Sequence, residues 1–371
     1  MIAWTPSRMG ESPGGSLVNG GELVAAALRG SAVDRVPWTI YANLLPRGAT
    51  ERALRNRGLC LLAHQPVYTV KRPNVVVDDR AVADGDDTIV VRSYHTPLGD
   101  LAERRRVEPG YGSSWAFEHL VKQPGDYEIL EYIVRDTQYS ADSSDWEAKR
   151  AEIGADGIVN TGVLRMPFQR LWIEYAGLDR LLLDLHDHPE VVGRVLKAMD
   201  EKDRELWAIV ADSPVEFVWC PDNVTALAIG PRLFDRYFAP YYHDLADVMH
   251  SRGKRIYAHV DGATKGIADR IARTPIDIVE AFTPEPTGDL SLGEARRAWR
   301  DKVIWINFPS SVHVQPPDEV AAVTRDLLKQ SGTGEGVLFG VTENVPAFAW
   351  ERSLVAITDV LEAEGHLPLG G

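Results

Sequence analysis

RIYAHVDGATKG (residues 255–266) is a short run of β-branched and aromatic residues that halts at a glycine. His259 and Asp261 stand two residues apart just before the halt, and on a strand that spacing puts both side chains on one face. A helical segment, GPRLFDRYFAPYYHDLADVMHSRGK (230–254), broken at Pro240, leads into it, and TKGIADRIART (264–274) leads out. The same alternation continues both ways. Upstream, DGIVNTG (156–162) and VEFVWCPDN (215–223) read as strands, separated by the helix PFQRLWIEYAG (167–177) and a long amphipathic helix over 188–213. Downstream, IDIVEAFTP (276–284), VIWINFPSS (303–311) and GVLFGVTENVP (336–346) alternate with helices over 291–300, 316–332 and 349–365. Strands and helices in such succession predict a parallel sheet covered by helices.

Such a sheet is either a closed (β/α)8 barrel or an open doubly wound layer. No G-x-G-x-x-G and no Walker A sequence follows any strand, which weakens the nucleotide-binding reading. The expected fold is α/β, a single (β/α)8 TIM barrel over 21–371, preceded by an irregular Gly/Ser/Pro-rich leader over 1–20. GELVAAALRG (21–30) reads as a helix and RVPWTIYAN (35–43) as the first strand. Residues 68–100 are β-rich and end in HTPLGD, so a β-hairpin excursion is expected there. Residues 114–153 read as helical, because PGDYEILEYIV carries apolar residues at i, i+3 and i+4.

The chain has 371 residues and a formal net charge of −14. That balance argues against nucleic acid or an anionic membrane as partner, since phosphate contacts need a basic surface. Two cysteines, Cys60 and Cys220, supply neither a disulfide framework nor a cysteine-rich zinc module. No apolar run is long enough to span a bilayer, and MIAWTPSRMGESPGGSL lacks the apolar stretch of a signal peptide, so a cytoplasmic protein is expected.

A barrel carries its active site at the C-terminal strand ends, and here those ends are polar. Asn43 ends the first strand, and Asp222 with Asn223 ends FVWCPDN. His259 with Asp261 follows, then Glu280, Asn307, and Glu343 with Asn344. One such residue is an ordinary turn former; six strands ending alike point to an enzyme. By simple alternation Glu280 shares its face with Phe282. Side chains opening into one mouth would gather an imidazole and up to three carboxylates, a cluster that needs a compensating cation. A divalent metal is one such cation, and His with Asp or Glu suits zinc or a neighbouring transition metal. The expected ligands are therefore His259, Asp261, Glu280 and Glu343, with Cys220 as a sulfur candidate. Asp222, Asn223 and His259 are the candidate catalytic groups. Tyr41, Asn43, His95, Trp219, Asn307 and Phe308 are the candidate substrate contacts, the aromatic ones suiting a flat or apolar small molecule. The other histidines, His64 among them, read as surface or packing. Plainer readings compete. Asp261 before Gly262 can start a turn, Glu280 can pair with an arginine, Glu343 can cap the next helix, and Cys220 can be a small buried apolar residue.

The chain resembles the uroporphyrinogen decarboxylase-like superfamily, which includes the corrinoid-linked methyltransferases and is related to cobalamin-independent methionine synthase. The likeness rests on RVPW (35–38), HTPLGD (95–100) with WAFEHLVKQPGDYEIL (115–130), MPFQRLWIEYAGLDRLLLDLHDHPE (166–190) and PDNVT (221–225). Its most specific carrier is RYFAPYYHDLADVMHSRGKRIYAHVDG (236–262). The resemblance implies a (β/α)8 barrel. It does not imply porphyrinogen decarboxylation: the arginine-rich segment of true decarboxylases is replaced by YANLLPRG with Arg47 alone, and their late histidine by Glu343. In thiol-methylating members a His-x-Cys pair and a late cysteine bind zinc. Here His259 is retained, while Asp261 and Glu343 stand at the cysteine positions. The resemblance thus implies a methyltransferase that demethylates a small, methoxylated aromatic substrate, with zinc or another divalent transition metal as a hard Lewis acid. The methyl acceptor would be a corrinoid on a separate partner protein, since no cobalamin-binding domain is recognisable. Dimerisation through barrel helices is common in the resembling family. The alternative is a metal-independent decarboxylase or lyase on a small carboxylic acid, with Asp222 and His259 as general acid and base.

Overall fold

Short strands rich in β-branched and aromatic residues need both faces covered, and here they obtain this by closing into a ring. The computed structural model describes residues 19–85, 87–108 and 113–369, so the expected leader lies almost wholly outside the described residues. β1 (Trp38–Tyr41) and β2 (Leu59–His64) begin the barrel. The chain then leaves it to form β3 (Tyr68–Lys71), the antiparallel sheet β4 (Val76–Asp84), β5 (Asp87–Thr96), β6 (Gly99–Glu108) and β7 (Ser113–Glu118), and finally β8 (Gln138–Ala141), which pairs with β3. The barrel resumes with β9 (Gly157–Gly162), β10 (Phe217–Cys220), β11 (Arg255–His259), β12 (Ile278–Phe282), β13 (Val303–Asn307) and β14 (Val337–Val341). All eight barrel strands are parallel, and β14 closes onto β1 with Trp38 beside Phe339. Among the described residues no helix is long and apolar enough to cross a membrane.

Two differences from the expected elements have physical causes. The excursion is a four-stranded sheet rather than one hairpin, and β7 and β8 interrupt the helix expected over 114–153, leaving helices Asp126–Arg135 and Ser144–Ile153. The residues of β7 find partners in β6, with Trp115 beside Arg106 and Ser114 beside Val107. Such cross-strand pairing outweighs local periodicity. The second difference is β2 itself, LCLLAH, a barrel strand that the alternation of strands and helices leaves unassigned.

The barrel interior is packed, not hollow. Leu62, Phe217, Tyr257, Ile278, Trp305 and Leu338 form one buried cluster, and helix Gly20–Leu28 closes its N-terminal end with Val24, Ala27 and Leu28. The Trp305 indole N–H donates to Thr39 Oγ1 at 2.8 Å. Opposite it, a Cβ on Gly340 would fall 2.8 Å from both Thr39 Oγ1 and Trp305 Nε1, so the glycine makes room for the indole. The alternate residues face outward to the helices. Cys220 belongs to that outer layer, which removes it as a sulfur ligand at the mouth. Phe308 is also in the outer layer, where its ring packs 5.1 Å from His313, so it is not a wall of the mouth.

In β12 the alternation breaks. Ile278 faces the interior and Val279 the outer layer, yet Phe282 also joins the outer layer. The register explains why. Val279 pairs with Ile304 but Phe282 with Ile306, so β12 holds one extra residue. Ala281 takes the extra place with φ 56°, a left-handed conformation that non-glycine residues avoid. Glu280 and Phe282 therefore do not share a face. Alternation from Ile278 keeps Glu280 inward, and the bulge that follows turns Phe282 outward, a device often found beside functional sites.

Candidate active site

β1, β2, β10, β11 and β12 bring Tyr41, His64, Trp219, His259 and Glu280 to the C-terminal mouth. Glu280 is fully buried and both of its oxygens are engaged. Oε1 accepts from the Tyr41 hydroxyl at 2.7 Å, and Oε2 from His259 Nδ1–H at 3.0 Å. β11 stops at His259, so Asp261 lies beyond the strand rather than on it. The chain nonetheless turns it back, and its carboxylate stands 3.8 Å from His259 Nε2. That is ion-pair distance and too long for a hydrogen bond. Side-chain exposure climbs along the row, from 0% at Glu280 through 16% at His259 to 29% at Asp261. The row thus runs from the barrel interior to solvent.

Charge follows from this arrangement. Burial alone would push the His259 imidazole down, but Glu280 and Asp261 on either side outweigh it and lift its pKa to about 10. His64 behaves oppositely. Burial, helped by the neighbouring positive charge of His259, pushes it down to about 4 despite the pull of Glu280. His64 is thus neutral. The Tyr257 hydroxyl accepts from Asn160 Nδ2 at 2.9 Å and shares a hydrogen bond of 2.8 Å with His64 Nε2. Two histidines at one mouth therefore hold opposite protonation states, the pattern that separates acid from base roles.

Aromatic rings wall the site. His64 stacks on Trp219 with centroids 4.1 Å apart, Tyr41 meets His64 edge-on at 5.4 Å, and Trp219 meets His259 edge-on at 6.2 Å. The Trp219 indole N–H is buried without a partner, a donor aimed at nothing in the protein. His64, Tyr257 and Asn160 were not expected at the site. The signal for His64 was its place at the end of LCLLAH, the same position that singled out His259.

The other expected residues do different work. Asp222 is buried and accepts from the Met166 backbone N–H at 2.8 Å and the Tyr242 hydroxyl at 2.9 Å. Burial lifts its pKa to about 6 against those two donors. Asn223 exchanges two backbone bonds with the Gln169 side chain. Together they pin the segment after β9 to the end of β10, so Asp222 is not paired with His259 as acid and base. Asn307 is buried and ties Thr283 to the backbone of Thr342, bracing the loops after β12 and β14. Asn43 is exposed in the turn after β1, and Glu343 is exposed in the loop after β14. His95 lies in β5, flanked by Asp78 and Asp100 of the antiparallel sheet.

These placements test the expected metal. Among the described residues no three His, Cys, Asp or Glu side chains are grouped so as to hold an ion. Glu280 is saturated by Tyr41 and His259, and the imidazolium already supplies the cation between the carboxylates. His259, Asp261, Glu280 and Glu343 do not fit a closed metal shell in this arrangement.

Replacing Glu280 with glutamine removes the nearer charge. The His259 pKa should then fall from about 10, by about 1–3 pH units, as read from its imidazole nitrogen chemical shifts. The native value lies above the ordinary histidine value of about 6.5. Stability from this pair is therefore complete below that pH and lost as pH rises through about 10. The variant's melting temperature should vary less across that window.

Three comparisons bear on identity. No curated protein matches the sequence. Among solved structures, a methyltransferase from Methanosarcina mazei superposes with a TM-score of 0.57 over 93% of this chain and 98% of its own, at 11% identity, a likeness of fold. The structure of the pneumococcal virulence factor StrH covers 90% of this chain and 85% of its own at 10% identity, but its TM-score of 0.33 carries no argument. The model of the uroporphyrinogen decarboxylase (URO-D) family matches residues 161–360, which span β10 to β14 and include His259, Glu280 and the bulge between them and β13. That match covers more than half of the chain, and the chain belongs to the uroporphyrinogen decarboxylase family.

Proposed function

We propose that this chain is the substrate-side methyltransferase of a corrinoid-dependent system, removing the methyl group from a small methoxylated aromatic compound at the barrel mouth. The observation that carries this reading is the row Glu280–His259–Asp261 beneath the rings of Tyr41, His64 and Trp219. It offers a flat ring a stacking wall and its ether oxygen a cationic donor. The like-folded Methanosarcina mazei protein is a methyltransferase, which supports the reaction class. A reduced corrinoid, carried by a separate protein, supplies the nucleophile that accepts the methyl group.

This chain's own residues do the rest. Glu280 holds His259 Nδ1 and keeps the ring protonated, which leaves Nε2–H to face the ether oxygen. As the O–CH3 bond breaks, its electron pair stays on oxygen, and Nε2 delivers the proton that makes the product a neutral phenol. An acid of pKa about 10 is matched to a phenol, whose own value is near 10. Asp261, the most exposed member of the row, is placed to return a proton from solvent. No step passes through a metal.

Incubation of the purified protein with cob(I)alamin and a panel of methoxybenzoates tests the reading. Loss of the cobalt(I) absorbance with equal formation of phenol, unchanged by a chelator, is the expected result. Release of carbon dioxide from the same acids without phenol would replace methyl transfer with the decarboxylase alternative. No turnover of any compound would sink both.

A further inference from the structure

A cavity of about 510 Å³ lies between the antiparallel sheet, β8 and the segment after β9. We propose that it binds a small oxyanion, a molecule bearing a carboxylate or a phosphate group. Six cations line it: Arg72, Arg92, Arg105, Arg165, Arg170 and Lys202. Only two carboxylates, Glu103 and Glu174, share the wall. Arg92, Arg105, Arg165, Arg170 and Lys202 are ion-paired with Asp79, Glu103, Glu174, Asp203 and Glu205, which leaves Arg72 as the lining cation without a carboxylate partner among the described residues. A concave wall that holds one uncompensated guanidinium favours an anion there.

The pairing inside the cavity is incomplete. Arg170 is 5% exposed and gives one terminal nitrogen to both oxygens of Asp203, but its Nε is buried with no partner. Arg165 donates to Glu174 at 3.1 Å, and its Nε is likewise buried and unpartnered. Arg72 donates to the neutral Thr137 hydroxyl at 3.0 Å and joins no salt bridge among the described residues. Arginine forks suit the planar oxygens of carboxylates and phosphates, and the Arg72 guanidinium is the one free to present such a fork. Tyr94, Tyr139 and Tyr175 line the same space and bring polar side chains to it. At this volume the cavity admits a whole small organic molecule rather than a bare ion.

Calorimetric titration of the full chain with sodium citrate and with inorganic phosphate, at ionic strength matched with sodium chloride, tests the site. Saturable one-to-one binding of at least one anion is expected, weakened about tenfold or more by Arg72→Gln. Glutamine keeps a donor for Thr137 while removing the charge. Tighter binding of citrate identifies a carboxylate ligand, and tighter binding of phosphate a phosphate ester. Circular dichroism checks the fold, and Arg165→Gln serves if the first variant does not fold. No saturable heat from either anion up to about 10 mM, or equal affinity in wild type and variant, overturns the proposal. The measurement needs no turnover, so it stands or falls apart from the methyl-transfer reading.

Discussion

His259→Asn is expected to lower methyl transfer by about 10²–10⁴-fold, the usual contribution of a positioned proton donor. That loss equals roughly 3–5 kcal/mol of transition-state stabilisation. It should appear in kcat, with KM little changed, because the aromatic wall of Tyr41, His64 and Trp219 still binds the ring. A merely structural role for His259 would lower all substrates alike. A proton donor predicts a graded loss, largest for ethers of weakly acidic phenols and smallest where electron-withdrawing groups let the phenolate leave unaided. The pH profile carries the same signature. His259 stays protonated until about pH 10, so the wild-type rate should be level through neutrality and fall only as pH approaches that value. A rate falling near pH 6.5, the ordinary histidine value, would contradict the ion-paired state.

Asp203→Ala should be the most destabilising of the simple substitutions. Helix Pro189–Asp212 buries Val192, Val195, Met199, Leu206 and Val210 on one face, and Asp203 sits within that apolar stripe at 1% exposure. Its two oxygens accept from Arg170 at 2.6 Å each. Alanine leaves a buried guanidinium with no counter-charge, which costs about 3–5 kcal/mol. The melting temperature should drop by roughly 4–6 °C. The double variant Arg170→Met/Asp203→Leu removes both charges and should recover most of the loss, since apolar residues of like volume often replace a buried pair without penalty. A double variant no better than Asp203→Ala alone would show that the helix needs the ion pair itself.

The sequence made some of this legible and hid the rest for physical reasons. The barrel followed from strands and helices taking turns, and the mouth from polar residues at strand ends. Glu280 stood out because a carboxylate inside an apolar strand needs a partner. That its partners would be Tyr41 and His259 depended on bringing together residues 239 and 21 positions away. His64 ends a strand as His259 does, but LCLLAH is a uniform apolar run with no alternation to betray which face its histidine takes. Asp222 also looked like a site residue. Its two donors come from Met166 and Tyr242, on segments whose approach local pattern does not encode. The exchange of Phe282 from the inner to the outer layer was hidden most deeply, because nothing about an alanine announces a left-handed backbone.

That alanine sets stability and activity against each other. A left-handed backbone costs a non-glycine residue about 1–2 kcal/mol, and at Ala281 the cost falls one residue after the carboxylate that holds His259. Glycine at this position would relax the chain and strengthen the fold, while loosening the turn that aims Glu280. Removing the extra residue altogether would restore regular alternation, with Phe282 directly after Glu280 and still facing outward beside Ile306, so what the bulge supplies is the slack in backbone after the carboxylate. Selection for heat tolerance alone therefore pushes this barrel away from its own chemistry at a single codon.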